Sequence, residues 1–157
     1  MSVSENVPGP GFLVWRLSLK WRSAVDRAVA PLGLTHAQYS VLASLFGMVR
    51  AKRRPSQREL ADYTGMEPIY VSKLVRALER AGLVERAEHP ADTRAIQLTL
   101  TPAGRDVATR AVAVVRELQD QLTTAIGGRN SKRTRALMDT LQTLLDTPLR
   151  EGSGESR

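Results

Sequence analysis

The chain has no cysteine, which excludes disulfides, thiolate zinc sites and peroxide sensing through a native thiol. Histidine is nearly as scarce. His36 and His89 are the only two, one in the first turn of an expected helix and one at an expected hairpin tip. Neither has a spaced carboxylate partner, so both read as structural or solvent-facing and no metal site is expected. Long apolar runs are missing too: the patch Phe12 to Trp15 is broken by Arg16. Residues 1 to 11 also lack the basic lead of an export signal, so a cytoplasmic location and no membrane partner are expected. No Ser-His-Asp arrangement, glycine-rich phosphate loop or carboxylate pair with a base can be assembled. An enzyme is therefore not expected, nor is a cofactor.

What the chain does have is positive charge. Its 23 Lys and Arg against 16 Asp and Glu leave +7 over 157 residues, which suits a polyanionic partner without naming one, since basic surfaces also bind membranes or acidic proteins. The length fits one domain of ordinary size, with a helix-rich composition.

Ser56-Gln57-Arg58-Glu59 is a capping box, in which the serine hydroxyl accepts from the Glu59 amide and the Glu59 carboxylate accepts from Ser56. A helix starts there, with Leu60 and Ala61 on its buried stripe, and Gly65 supplies the left-handed backbone of a tight turn, Thr64-Gly65-Met66. Pro68 suits a first helical position, although Glu67 before it is a mediocre cap. The second helix runs to about Ala81. Val71, Leu74, Val75 and Leu78 face inward, which leaves Ile69, Tyr70, Ser72, Lys73 and Arg76 as a candidate reading surface. By itself this could be an ordinary pair of helices. Its context decides: Gly82 ends the helix, Leu83 to Arg86 begins an extended run, and Ile96, Leu98 and Leu100 alternate with Gln97 and Thr99. The tip His89 to Arg94 is polar, turn-forming and charged. A hairpin after the reading helix is a wing, so the predicted fold is mainly α with a small β-hairpin wing (α+β), a winged helix-turn-helix that reads duplex DNA.

The stretch Leu60 to Gly104, through Glu79-Arg80-Ala81-Gly82-Leu83-Val84-Glu85-Arg86, the Asp92-Thr93-Arg94 wing and Leu100-Thr101-Pro102-Ala103-Gly104, resembles the multiple-antibiotic-resistance regulator (MarR) family. Gly33-Leu34-Thr35, Gln38 and Val41-Leu42 extend the likeness to residues 10 to 147. The resemblance implies a homodimeric bacterial transcription factor, usually a repressor, often released from its operator by a small aromatic ligand. It also implies that Arg94 enters the minor groove and that Asp92 orients it. A guanidinium is favoured in a narrow groove of negative potential, and a nearby carboxylate restricts its rotamers, whereas an exposed ion pair alone would contribute about 0 to 1 kcal/mol. Glu88 and Thr93 depart from the family at frequently basic positions, which lowers the affinity expected of the wing.

The flanks are helical. A first helix is expected over Phe12 to Ala30, with Trp15, Leu19, Val25 and Val29 on one side, closed by Pro31 and Gly33. A second opens at the capping box Thr35-x-x-Gln38 and carries Tyr39, Leu42, Leu45, Phe46 and Val49. After Thr101-Pro102 a long helix repeats Val107, Ala111, Val114, Leu118, Leu122 and Ile126 until Gly127-Gly128. A last one, Ser131 to Asp146, puts Leu137, Leu141, Leu144 and Leu145 on one stripe. These stripes exceed what the winged lobe can cover, so a twofold dimer is expected, with reading helices roughly 34 to 36 Å apart on a palindromic operator. The predicted organisation is a tail at 1–11, one domain at 12–147 and a tail at 148–157. Within the domain, 35–100 is the winged lobe and 12–34 with 101–147 the dimerisation region.

Phosphate contacts are assigned to Ser56, Gln57, Lys73 and Arg86 with helix amino termini, and base-edge contacts to Tyr70, Ser72 and Arg76. The basic loop Arg50 to Arg54 is either a solvated charge cluster or a further phosphate contact. An effector pocket implied by the resemblance would be lined by Trp15, Trp21, Tyr39 and Phe46, although aromatics at helical spacing are more often core. The alternative function is a winged-helix protein-interaction module without sequence-specific DNA binding.

Overall fold

Thr35 and Ser56 each start a helix by the reciprocal bonds that their spacing dictates. In the computed structural model, which describes residues 7–150, the Thr35 hydroxyl accepts from the Gln38 amide at 3.2 Å and the Gln38 side chain accepts from Thr35 at 3.0 Å. The Ser56 hydroxyl accepts from the Glu59 amide at 3.1 Å, and Glu59 Oε2 accepts from the Ser56 amide at 3.0 Å. The elements are α1 (Pro10–Val29), α2 (His36–Arg50), α3 (Gln57–Thr64), α4 (Pro68–Arg80), β1 (Val84–His89), β2 (Asp92–Leu100), α5 (Pro102–Thr123) and α6 (Lys132–Asp146). Short 3-10 turns follow α1 and α5. None of the helices is long and apolar enough to cross a membrane. Residues 1–6 and 151–157, most of the two expected tails, lie outside the described residues.

Several boundaries differ from the sequence reading. Helix α1 begins at Pro10, two residues early, because proline fits the first turn where its missing amide has no partner. The strands run on to the tip: His89 pairs with Asp92 beyond a register irregularity at Glu88/His89, so only Pro90 and Ala91 form the turn. A third edge joins the hairpin, with a bridge between Ser56 and Gln97 and a 3.0 Å bond from the Leu98 amide to the Pro55 carbonyl. On α5 the buried positions are Gly104, Ala108, Ala111 and Val115, a stripe that shares only Ala111 with the one expected. The cause is local. A methyl on Gly104 would overlap the Leu83 carbonyl oxygen, and this close approach fixes the rotation of α5 from its first turn.

The chain forms two compact units, one ending at Arg116 and the other beginning at Glu117, so the division falls inside α5. In the first unit Leu42, Leu45, Leu60, Val71, Val75, Leu78, Val84 and Leu98 are fully buried, each contributing roughly 1.5 to 3 kcal/mol of transfer free energy. Thr101 closes this core, its hydroxyl accepting from the Gly104 amide at 2.9 Å and donating to the Gly82 carbonyl at 2.6 Å. In the second unit, Ser131 caps α6 by accepting from the Thr134 amide at 3.1 Å, and Thr134 donates to the Gly128 carbonyl at 2.7 Å.

Candidate nucleic-acid interface

Helix α4 has two chemically distinct sides. Val71, Leu74, Val75 and Leu78 are buried, while Ile69, at 76% exposure, Tyr70, Lys73 and Arg76 face outward and Ser72 is half-buried. The turn that presents this face depends on Gly65, whose φ of 71° and bond to the Ala61 carbonyl end α3. Glu67 makes no side-chain cap on α4, in line with its weak capping chemistry.

The amino end of α3, the start of α4 and the wing converge on a groove of about 370 Å³ lined by Ser56, Gln57, Arg58, Pro68, Asp92, Arg94, Ala95 and Ile96. Four residues singled out from sequence, Ser56, Gln57, Asp92 and Arg94, thus meet at one place. Gln57 is half-buried, its side-chain oxygen enclosed without a hydrogen-bond partner, so only its amide nitrogen suits a phosphate. Arg58 was not singled out. Its signal was there to read: a cation in a helix's first turn opposes the helix dipole, so its placement calls for another reason.

Two assignments change. Asp92 does not clasp the Arg94 guanidinium; its carboxylate accepts from the Arg94 backbone amide at 3.0 Å, which shapes the strand beneath an exposed arginine. Arg86 is engaged within the fold through its Nε, which donates to Glu79 at 3.0 Å, so only its terminal NH2 groups remain for a phosphate. Register explains this: Arg86 pairs with Leu98, on the hairpin face that carries the buried Val84, Leu98 and Leu100. The hydrogen bond from Arg86 holds the Glu79 carboxyl below its ordinary range; desolvation opposes it, and the charges of Arg86 and Arg76 add to the lowering. The pair ties β1 to α4.

The aromatic residues considered for an effector line neither this groove nor the one behind the wing. Trp15 is 57% exposed and lies 6.0 Å from the Phe12 ring, Trp21 and Tyr39 are half-buried, and Phe46 lies under Arg50 at 5.6 Å. Burial raises the Tyr39 hydroxyl above its ordinary pKa. His36 is lowered by burial and then by Arg22, with Asp26 opposing; its backbone amide donates to Asp26 at 2.6 Å.

Comparison with known proteins agrees with this geometry. A family model described as the MarR family matches residues 32–95. An uncharacterised HTH-type transcriptional regulator of Bacillus subtilis is 35% identical over 109 residues, 69% of this chain and 74% of that protein. Among solved structures, the transcriptional repressor CouR bound to a 23-mer DNA duplex is similar at 31% identity and a TM-score of 0.71, covering 92% of this chain and 95% of that one. CouR from Rhodococcus jostii RHA1 bound to p-coumaroyl-CoA gives 27% identity and a TM-score of 0.74 over 96% and 99%. These relatives are transcriptional regulators, not enzymes. An exposed α4 face, a hairpin wing that carries Arg94 and relatives of this kind lead to one conclusion: the chain belongs to the MarR family of DNA-binding transcriptional regulators.

Proposed function

We propose that this protein is a cytoplasmic homodimeric repressor that reads a palindromic operator and is released by a small aromatic effector. The observation that carries the reading is the groove in which Pro68, the first residue of α4, meets Arg94 of the wing, with the exposed α4 face beginning at the next residue, Ile69. Lys73 and the amino end of α3 hold phosphates and set the register, while Tyr70, Ser72 and Arg76 meet base edges in the major groove. Ile69 offers an apolar contact of the kind that a thymine methyl accepts. Arg94 enters the adjacent minor groove.

Dimerisation is supported within each unit by apolar side chains left open. Phe12, Leu13, Trp15 and Leu19 are exposed on α1, and Leu137, Met138, Leu144 and Leu145 on α6. A patch of this kind on a soluble chain calls for a partner, and a second copy is the most economical one. The effector reading draws on CouR with p-coumaroyl-CoA. A ligand that prefers a lobe spacing unlike the DNA-bound one releases the operator in proportion to that preference.

The test is a gel-shift salt series with a duplex selected by the protein from a random pool and a scrambled duplex of equal length. The expected result is a preference of about 10³ or more for the selected duplex, with affinity falling steeply as salt rises. Equal affinity for both duplexes would favour a protein-interaction module instead.

A further inference from the structure

A second groove, of about 500 Å³, lies against the hairpin and is lined by Lys52, Arg53, Arg54 and Arg105 with Gln97 and Thr99. Gln97 pairs with Ala87 and Thr99 with Glu85, so their side chains take the face of the hairpin opposite to Val84 and Arg86, and Leu98 between them also borders the groove. Arg86 meets Glu79 of α4 on that other face, and the cationic groove is therefore on the side of the wing away from the reading helix. Among the described residues, none of the four cations has a carboxylate within salt-bridge distance; the pairs found are Arg86–Glu79, Arg110–Asp106 and Arg129–Asp120. Glu85 is the one acidic residue on this hairpin face, which leaves the groove positive.

The loop itself carries an independent sign. Helix α2 ends with the Lys52 amide on the Val49 carbonyl and the Arg53 amide on the Met48 carbonyl, both at 2.9 Å. This helix ending usually takes glycine at its left-handed position. Here the position is Lys52, φ 59°, the only non-glycine with positive φ among the described residues. A side chain held there costs about 1 to 2 kcal/mol, and strain of this kind gathers at functional sites. Arg50 is set apart, its guanidinium lying over Phe46.

We propose that this groove seats the DNA backbone beyond the wing, on the far strand of the minor groove that Arg94 enters, so that the footprint extends outside the base pairs read. The inference rests on the DNA-reading function proposed above. Gln97 stands three positions beyond Arg94, roughly 10 Å along the strand, and a minor groove is about 6 Å wide, so the bordering phosphates pass within reach of Lys52, Arg53 and Arg54. All four cations are exposed. Such long, solvated side chains are poorly preorganised for a free small anion but suit a polyanion whose condensed counterions they release.

The experiment compares the selected duplex trimmed at the wing contacts with the same duplex extended by about ten base pairs on each side, one further helical turn, over a salt series. With about two added phosphates per protomer, the log–log salt slope of the dimer steepens by about 3 to 4 on the extended duplex, and its advantage shrinks about 100-fold between 50 and 200 mM salt. Arg53→Ser with Arg54→Ser erases the advantage, and Lys52→Gly cuts it about tenfold. Binding of the trimmed duplex stays the same. Because Lys52→Gly relieves the strained backbone, its melting temperature is unchanged or higher, which separates lost contact from lost fold. The inference is overturned if flanks add nothing for the native protein, if the variants keep the advantage, or if they weaken both duplexes equally. Should the native protein ignore even the trimmed duplex, the DNA-reading function itself falls, a result distinct from the first three.

Discussion

The first unit closes its apolar stripes within one chain, whereas the second leaves them open. From Val25 to Val115 most large aliphatic side chains of the helices and wing are buried or half-buried, Ile69 on the exposed α4 face being the exception, and mainly polar or charged residues cover the outer faces. Beyond Glu117 the one buried residue among those described is a threonine, Thr134, while Leu145 is 79% exposed. Both regions show helical periodicity of comparable quality in sequence. The difference teaches that periodicity defines a stripe and says nothing of what covers it. The amino-terminal half of α1 sides with the second unit in this respect: Trp15 and Leu19 are exposed while Val25 and Val29, on the same expected side, are fully buried.

The largest way to break the comparison is to charge the open face. Leu144→Glu with Leu145→Glu leaves the winged helix folded by circular dichroism but yields a monomer, and operator affinity drops by about 10³, because a linked second half-site is lost. Next comes the closed region: Gly104→Ala forces a methyl against the Leu83 carbonyl, and urea unfolding records a loss of about 3 kcal/mol. Arg94→Ala leaves both regions intact. It weakens operator binding by about 1 to 2 kcal/mol per protomer and flattens the salt slope by about one phosphate equivalent for each.

The smallest effect concerns the tie between β1 and α4. Glu79 has a folded pKa below its unfolded one, so its contribution to stability is present above the ordinary glutamate range and is lost as pH falls through the lowered value. Glu79→Gln therefore lowers the unfolding midpoint slightly at neutral pH. The gap between variant and native protein closes in acid, below the ordinary glutamate range.

Local chemistry was legible where a few neighbouring residues settle the outcome. Thr35, Ser56, Gly65, Pro68 and Thr101 act as their spacing dictates, because caps and turns are satisfied within four residues. The side chains whose partners come from elsewhere in the chain were not. The tie between Arg86 and Glu79 depends on the hairpin register, which sets the two side by side. Asp92 was read as holding a guanidinium but serves a backbone amide two residues on, a choice between two nearby donors that spacing cannot make. The rotation of α5 depends on the approach of Gly104 to Leu83, which lies across a whole hairpin in sequence.

The most direct test is the mass of the complex with the selected duplex, measured by light scattering in solution. Two 17.3 kDa chains on one duplex, dissociating together as salt rises, is the expected result. A single chain per duplex, or a free protein that stays monomeric while binding all sequences alike, would contradict the account.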